Sequence, residues 1–350
     1  MVPYVKIIVY MKIKGPGNKE VHVGLDIGTR LIKALELSSE NGTSRITKLH
    51  FTEIDPPATS ENTAKALAKL SETFKPDTTD VNISLSAPSA IVRFINMPKM
   101  KEEDLRNSLN FEAEKYIPFN INEVFIDACI LDGPVDEKNQ MRVLLAAAKK
   151  DAVNSRIEML KQAGFSVAVI DVDSFACFNA FRNSSGTSDE SKSIALLNIG
   201  YTHTNVVIAR GAEPFFTRDI QIASLGIAKL LSQAFQAEEK DSDKFIFAPG
   251  EKEAQVLDAA RPALGNLVDE LRLSFGYYEN QHGRSIDEIY ISGGAARLPG
   301  ILNYLEENFG VKPVTWNPFS KFEAGPEIDA GLLERVGAQF CVSAGLAIRK

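Results

Sequence analysis

Asp26, Gly28, Thr29 and Arg30 stand together in Val21-His-Val-Gly-Leu-Asp-Ile-Gly-Thr-Arg-Leu-Ile-Lys-Ala-Leu-Glu-Leu37, and residues of these types at this spacing can hold phosphate. Apolar runs flank Gly28-Thr29-Arg30, so the stretch reads as two short strands folded about a turn. A glycine there lets the backbone approach a ligand closely, successive N–H groups converge on its oxygens, and the Thr29 hydroxyl adds a donor. Asp26, at the bend, would hold a magnesium ion through water. The same Asp-x-Gly-Thr spacing also serves ordinary hairpin turns, so this stretch alone leaves both readings open.

A second copy strengthens the phosphate reading. Ile194-Ala-Leu-Leu-Asn-Ile-Gly-Tyr-Thr-His-Thr-Asn-Val-Val-Ile-Ala209 sets Asn198, Gly200 and Thr202 where the first stretch has Asp26, Gly28 and Arg30. Internal self-similarity of this kind points to a duplicated fold, and two such hairpins facing each other would grip a nucleotide's phosphates from opposite sides. A third glycine turn lies in Ile289-Tyr-Ile-Ser-Gly-Gly-Ala-Ala-Arg-Leu-Pro-Gly-Ile301. There a buried strand runs into Gly293 and Gly294, a helix starts near Pro299, and the chain can pass close under an adenosine.

The elements that must position these turns need a large fold. A chain of 350 residues suits two globular halves, each with its own apolar interior. A formal charge of −7 without a long basic run argues against nucleic acid as the main partner. The three cysteines, Cys129, Cys177 and Cys341, are widely spaced and read as buried thiols of a reducing compartment. The histidines form no ligand pattern. Val2–Lys14 is apolar but too short to span a bilayer, and three readings stand side by side: a ragged start, an interfacial anchor, and a start site really at Met11. No other segment carries eighteen consecutive apolar residues, so a membrane role would go through a partner.

Hydrophobic periodicity orders the chain as an N-terminal extension (1–20), a first lobe (21–96 and 167–184), an α/β insert (97–166), a second lobe (193–224 and 285–350) and a mostly helical subdomain (225–284). The first lobe shows the strand, strand, strand, helix, strand order of a ribonuclease-H-like unit. It resumes after the insert with a strand ending at Asp171 and Asp173, where a helix begins. Helix capping accounts for Asp173 without any ligand; the functional account places its carboxylate at the cleft, orienting a metal-bound or attacking water, as the one candidate catalytic residue. Asn183–Ser191 is a polar linker. Glu270 and Arg272 on a helix at Val268–Tyr278 could reach a ribose or line a solvated face.

The three glycine turns, in this order, resemble the phosphate-one, phosphate-two and adenosine motifs of the actin-like ATPase superfamily. More specifically, Val92–Met100, Phe111-Glu-Ala-Glu-Lys-Tyr-Ile-Pro-Phe119, Ala146-Ala-Ala-Lys-Lys150 and Ile291–Ile301 resemble the PilM family of type IV pilus assembly proteins, which is close to the division protein FtsA. The resemblance implies an α/β, two-lobed actin-like fold made of duplicated ribonuclease-H-like units, with the insert serving protein contacts. It also implies ATP with Mg2+ as cofactors. The family's nucleotide contacts carry over to Asp26, Gly28, Thr29, Arg30, Asn198, Gly200, Thr202, Gly293 and Gly294, with Lys244 a weaker candidate for the adenosine.

The implied biology is a cytoplasmic scaffold of a pilus or type II secretion-like platform, peripheral at the inner membrane. It would capture the short cytoplasmic tail of a PilN-like inner-membrane protein between the first lobe and the insert, with other platform proteins and self-association as further contacts. One departure matters: phosphate-two normally begins with aspartate, and here it begins with Asn198. For unit charges about 4 Å apart at an effective dielectric near 20, the lost attraction to a cation is on the order of 4 kcal/mol, less through a bridging water. The expectation is a binder with slow or absent turnover, unless Asp173 compensates. Two other readings are an FtsA-like division protein, disfavoured because the chain stops at Lys350 without an amphipathic tail, and an actin-fold small-molecule kinase with Asp173 as base.

Overall fold

The computed structural model describes residues 6–7, 20–40, 42–131, 140–185 and 189–349. In chain order the elements are β1 (Lys6–Ile7), β2 (Glu20–Ile27), β3 (Leu31–Glu40), β4 (Thr43–Glu53), α1 (Ser60–Thr73), β5 (Asp80–Leu85), β6 (Ala90–Pro98), α2 (Glu102–Ala113), β7 (Val124–Ile130), β8 (Gln140–Lys149), α3 (Lys150–Gln162), β9 (Ser166–Val172) and α4 (Asp173–Ser185). They continue with β10 (Ser193–Ile199), β11 (Thr204–Arg210), β12 (Glu213–Ile220), α5 (Ser224–Phe235), α6 (Asp243–Phe247), α7 (Glu253–His282), β13 (Glu288–Ser292), α8 (Ile301–Phe309), β14 (Pro313–Thr315), β15 (Glu323–Ala324), α9 (Ala330–Val336) and α10 (Cys341–Ala347). Of the Val2–Lys14 segment only Lys6–Ile7 is described, paired in parallel with Val169 and Ile170. The remainder of that segment, the turn expected at Asp132–Asn139 and residues 186–188 of the linker lie outside the described residues.

The chain forms two units: residues up to Asn183 with Phe319–Leu333 and Val342–Lys350, and Ser184–Pro318 with Glu334–Cys341. Each is built on the same sheet plan. The first unit's seven-stranded sheet contains the run β4-β3-β2-β5-β9, and the second unit's sheet runs β12-β11-β10-β13-β14. In both, the first three strands are antiparallel and the last two join in parallel. The duplication expected from the paired hairpins therefore extends to the whole sheet. Leu25, Ile32, Ala34 and Leu35 are fully buried, as are Ala195, Leu197, Val206 and Ile208 in the second unit. These strands sit mid-sheet with both faces covered, which is why their sequences run apolar instead of alternating.

Between β5 and β9 the chain forms a separate three-stranded sheet, β6-β8-β7, antiparallel throughout. Leu105 and Ala113 from α2 pack on Ile95, Met97, Val143 and Leu145 in a core of its own. Its start differs from the expected Met97: Ala90 already pairs with Ala148, and the pairing runs unbroken to Pro98 opposite Gln140. In the second unit α7 is far longer than the expected Val268–Tyr278 and runs through Pro262. An interior proline costs a helix about 3 kcal/mol. Here Val256, Ala260, Leu264, Leu267, Leu271 and Tyr278 form one buried stripe, and at about 1.5–3 kcal/mol for each large side chain that burial outweighs the break.

The C-terminal stretch corrects the expected 285–350 boundary, because Val342–Lys350 belongs to the first unit. α10 lies so close to β2 that a β-carbon on Gly24 would overlap the Ser343 carbonyl, and one on Gly345 would overlap the Ala176 carbonyl of α4. At the end of α10, Asn82 Nδ2 on β5 donates to the carbonyls of Leu346 and Arg349 at 3.0 and 3.1 Å. The Arg349 guanidinium meets Asp171 Oδ2 at 2.7 Å, both side chains almost wholly buried. Sequence alone offers no way to see this closure, since the partners are separated by most of the chain. No described helix is long and apolar enough to cross a membrane.

Burial pushes the Asp171 carboxyl up to about 6, against the opposing pull of Arg349. Its folded value thus exceeds its unfolded one, and its contribution to stability is present at acid pH and is lost as pH rises through that value. Removing Arg349 takes away the pull and raises the carboxyl further. Arg349→Ala should therefore destabilise the fold by about 3–5 kcal/mol near pH 7.5, and by clearly less at pH 5, where Asp171 is neutral. Urea unfolding at the two pH values checks this, and an equal loss at both would show that Asp171 is not the group responsible.

Candidate functional site

The first hairpin closes by a simple rule. Ile27 pairs with Ile32 across β2 and β3, and the four residues between them form the turn. Gly28 N–H donates to the Leu31 carbonyl at 3.1 Å, and Ile54 N–H donates to the Arg30 carbonyl at 2.9 Å, tying the turn to the end of β4. One step back along the strands, Asp26 and Lys33 are directly opposed and so share a face. Lys33 Nζ lies 2.5 Å from Asp26 Oδ2, with side chains only 16% and 8% exposed. The carboxylate expected to face a cation thus already holds an ammonium. Lys33 was missed in the sequence because it reads as one polar residue in an apolar strand.

The second hairpin repeats the first with an offset of 172 residues (198 − 26 and 205 − 33). Ile199 pairs with Thr204, four residues again form the turn, and Gly200 N–H donates to the His203 carbonyl at 3.1 Å. A β-carbon at Gly28 or at Gly200 would stand 2.9 Å from the same acceptor oxygen in each turn. The opposed pair is now Asn198 and Asn205, with Asn198 Nδ2 donating to Asn205 Oδ1 at 2.8 Å. The turn is fastened to α5: Ser224 donates to the Gly200 carbonyl from both its N–H and its hydroxyl, at 3.2 and 2.8 Å, and Leu225 N–H donates to the Tyr201 carbonyl at 2.8 Å. The Thr202 hydroxyl is 3.3 Å from His203 Nδ1.

Within the second unit the third turn joins the second hairpin. Gly293 has φ +88, a backbone region closed to most side chains, and a β-carbon there would overlap the Ile199 carbonyl and stand 2.8 Å from Asn198 Oδ1. Its N–H donates to the Ala338 carbonyl at 2.7 Å. Gly294 has open space around it, so of the two glycines only Gly293 is demanded by the packing. Lys244 sits on α6, mostly exposed, with its ammonium 2.7 Å from Asp241. Glu270 is 2.5 Å from Arg218 of β12, and Arg272 bonds Asp269 and Asn308. Both are held by their own unit.

In the first unit the acidic pair where β9 meets α4 divides its roles. Asp171 belongs to the buried closure with Arg349, whereas Asp173, the first residue of α4, acts with Asp26 on Arg156 of α3. Burial pulls the Arg156 guanidinium below its usual value, and Asp173 and then Asp26 pull it back. Asp26, Lys33, Asp173 and Arg156 thus form one charged neighbourhood, alternately signed. Among the described residues no group of three or more His, Cys, Asp or Glu could hold a metal ion.

Comparison with known proteins places these observations in a family. The family model for type IV pilus assembly protein PilM matches residues 24–350. Among solved structures, the PilM-PilN type IV pilus biogenesis complex matches with a TM-score of 0.82 at 28% identity, covering 94% of this chain and 98% of that one. The ethanolamine utilization protein EutJ from Carboxydothermus hydrogenoformans matches at TM-score 0.52 and 12% identity, over 96% and 92% of the two chains. MreB 5 of Spiroplasma citri bound to AMPPNP matches at 0.51 and 12%, over 93% and 94%. The last two share the actin-like fold with this chain.

The contrast between the two glycines gives a direct check on the turn. Gly293→Ala should cost roughly 2–4 kcal/mol, from left-handed backbone strain plus overlap with Ile199, whereas Gly294→Ala should change stability by less than about 0.5 kcal/mol. Thermal unfolding of both variants measures this, and equal effects would contradict the geometry described for the turn.

Proposed function

The chain belongs to the type IV pilus assembly protein PilM family, and from that premise we propose that it is an ATP-binding scaffold of a pilus or secretion-like platform. It holds the short cytoplasmic tail of a PilN-like inner-membrane protein and hydrolyses ATP slowly or not at all. The observation that carries the nucleotide part is the twinned turn: one backbone geometry, Gly28 in one unit and Gly200 in the other, each closed by the same N–H to carbonyl bond. A turn kept twice while the side chains beside it differ suits a ligand read by backbone. Thr29 and Arg30 of the first turn, Lys33 of β3 and Thr202 of the second turn supply further donors. Magnesium, when bound with the nucleotide, would screen the phosphate charge, with Asp26 as its contact through water.

Low turnover follows from the carboxylates. A base must take a proton from water, and an adjacent cation lowers a carboxylate's appetite for protons. Asp26 is paired with Lys33, Asp173 shares Arg156, and position 198 carries an amide. The site is built to hold more than to cleave. For partner capture, the insert offers Phe111, which is 79% exposed on α2. An aromatic side chain left so open suits an anchor for an apolar peptide. Cytoplasmic placement at the inner membrane would then come through the captured tail.

Three measurements test the reading. Thr29→Asp should weaken ATP binding by about a hundredfold or more, because like charges about 4 Å apart at an effective dielectric near 20 repel by roughly 4 kcal/mol. Unchanged affinity by calorimetry would mean that the first turn is not the phosphate site. Phe111→Asp should weaken binding of a synthetic PilN-type tail peptide by about tenfold or more, with the melting temperature held. Rapid ATP turnover by the unmodified protein would sink the scaffold reading itself.

A further inference from the structure

The second hairpin carries a side-chain row that the repeat does not require. Asn198, Asn205 and Asp219 stand directly opposite one another on β10, β11 and β12, so they share one face of the sheet. Asn205 Nδ2 donates to Asp219 Oδ1 at 2.7 Å, and Asn198 Nδ2 donates to Asn205 Oδ1 at 2.8 Å. A carboxylate only accepts, so the sense of both amides is set from the Asp219 end. Asn205 is 2% exposed, and reversing it would press two oxygens together where water cannot intervene. Each amide oxygen therefore points away from Asp219. At the end of the row Asn198 Oδ1 emerges beside Gly293, 2.8 Å from where a β-carbon there would stand.

We propose that Asp219 is the positioning residue of the second hairpin: through Asn205 it holds Asn198 with its amide oxygen presented at the Gly293 turn, as an acceptor for the metal-bound water of a magnesium nucleotide. The proposal rests on the nucleotide reading above. An unsupported asparagine can present oxygen or NH2, and only the oxygen suits a hydrated cation. The buried carboxylate-to-amide row also polarises Asn198, so part of the missing negative character reaches position 198. The compensating carboxylate is thus Asp219 of the same sheet, and Asp173 is not needed for it.

The test is a charge swap, read by calorimetry of ATP with magnesium and with EDTA. Asp219→Asn removes the constraint on the amides and should lower magnesium-dependent ATP affinity about tenfold, as expected for a lost hydrogen bond at a charged ligand, while metal-free affinity stays within about twofold. Asn198→Asp alone sets two carboxylates on Asn205 and should gain little. Combining Asn198→Asp with Asp219→Asn lets the row run in the opposite sense, and should restore magnesium-dependent affinity to the unmodified level or above. A merely structural tie would lower both affinities together, or neither, and the swap would not rescue. If the unmodified protein binds ATP and Asp219→Asn leaves the magnesium dependence unchanged, the proposal falls alone. If the unmodified protein binds no ATP in either condition, the nucleotide reading falls and takes this one with it.

Discussion

One backbone constraint underlies what the two units share. Opposed isoleucines or their equivalents, Ile27 with Ile32 and Ile199 with Thr204, are separated by four residues, and the first of the four is a glycine whose N–H reaches the carbonyl of the last. Once this turn is fixed, strand register follows: a slip of one residue would turn every side chain to the opposite face of the sheet and into different packing. Because the strands are mid-sheet, register in the hairpin then propagates to β5 in one unit and to β13 in the other. The duplicated sheet order is thus a consequence of a duplicated turn as much as of duplicated apolar runs.

The first unit is completed from the far end of the chain. α10 can reach β2 and α4 only because Gly24 and Gly345 lack side chains at the contact, and the segment is then locked by Asn82 and the Asp171–Arg349 pair. A buried ion pair costs desolvation for both members, and its return is specificity of placement more than net stability. Here the placement has a use. It sets the end of β9, and with it the start of α4, where the Asp173 charge acts on Arg156.

Much of this was legible in the sequence, and the limits have physical reasons. The hairpins, the ribonuclease-H-like strand order and the insert follow from local patterns: apolar runs broken by Gly-Thr or Gly-Tyr turns, and helices with acidic starts. Of the thiols expected to be buried, Cys177 and Cys341 are, whereas Cys129 is half-buried. Long-range partners left no local trace. Asp171 and Asp173 look alike in sequence, yet one is paired with Arg349 near the C-terminus and the other opens α4. Pro262 reads as a break, since a propensity is local and the buried stripe that overrides it is tertiary. Lys33, Arg156, Asn205 and Asp219 were passed over as ordinary polar residues. Extending the aligned repeat three residues past Thr202 would have set Asn205 against Lys33 and exposed the first and third of these.

The divergence of the two opposed pairs also has an electrostatic logic. β2 and β3 lie inside a seven-stranded sheet, where a lone carboxylate at position 26 would be costly, so Asp26 and Lys33 neutralise one another at hydrogen-bond distance. In the second unit the same positions carry amides, which are cheaper to bury than ions but must have every donor satisfied. The row therefore needs a terminal acceptor, and Asp219 provides it from β12, the edge strand of its sheet, where water can still reach a half-buried carboxylate. Moving the charge outward by two strands keeps the shape of the turn, since aspartate and asparagine are nearly isosteric, and changes only what the turn presents. A family fold can in this way retain its backbone cradle while the strength of its hold on a cation is reset by residues that never touch the ligand.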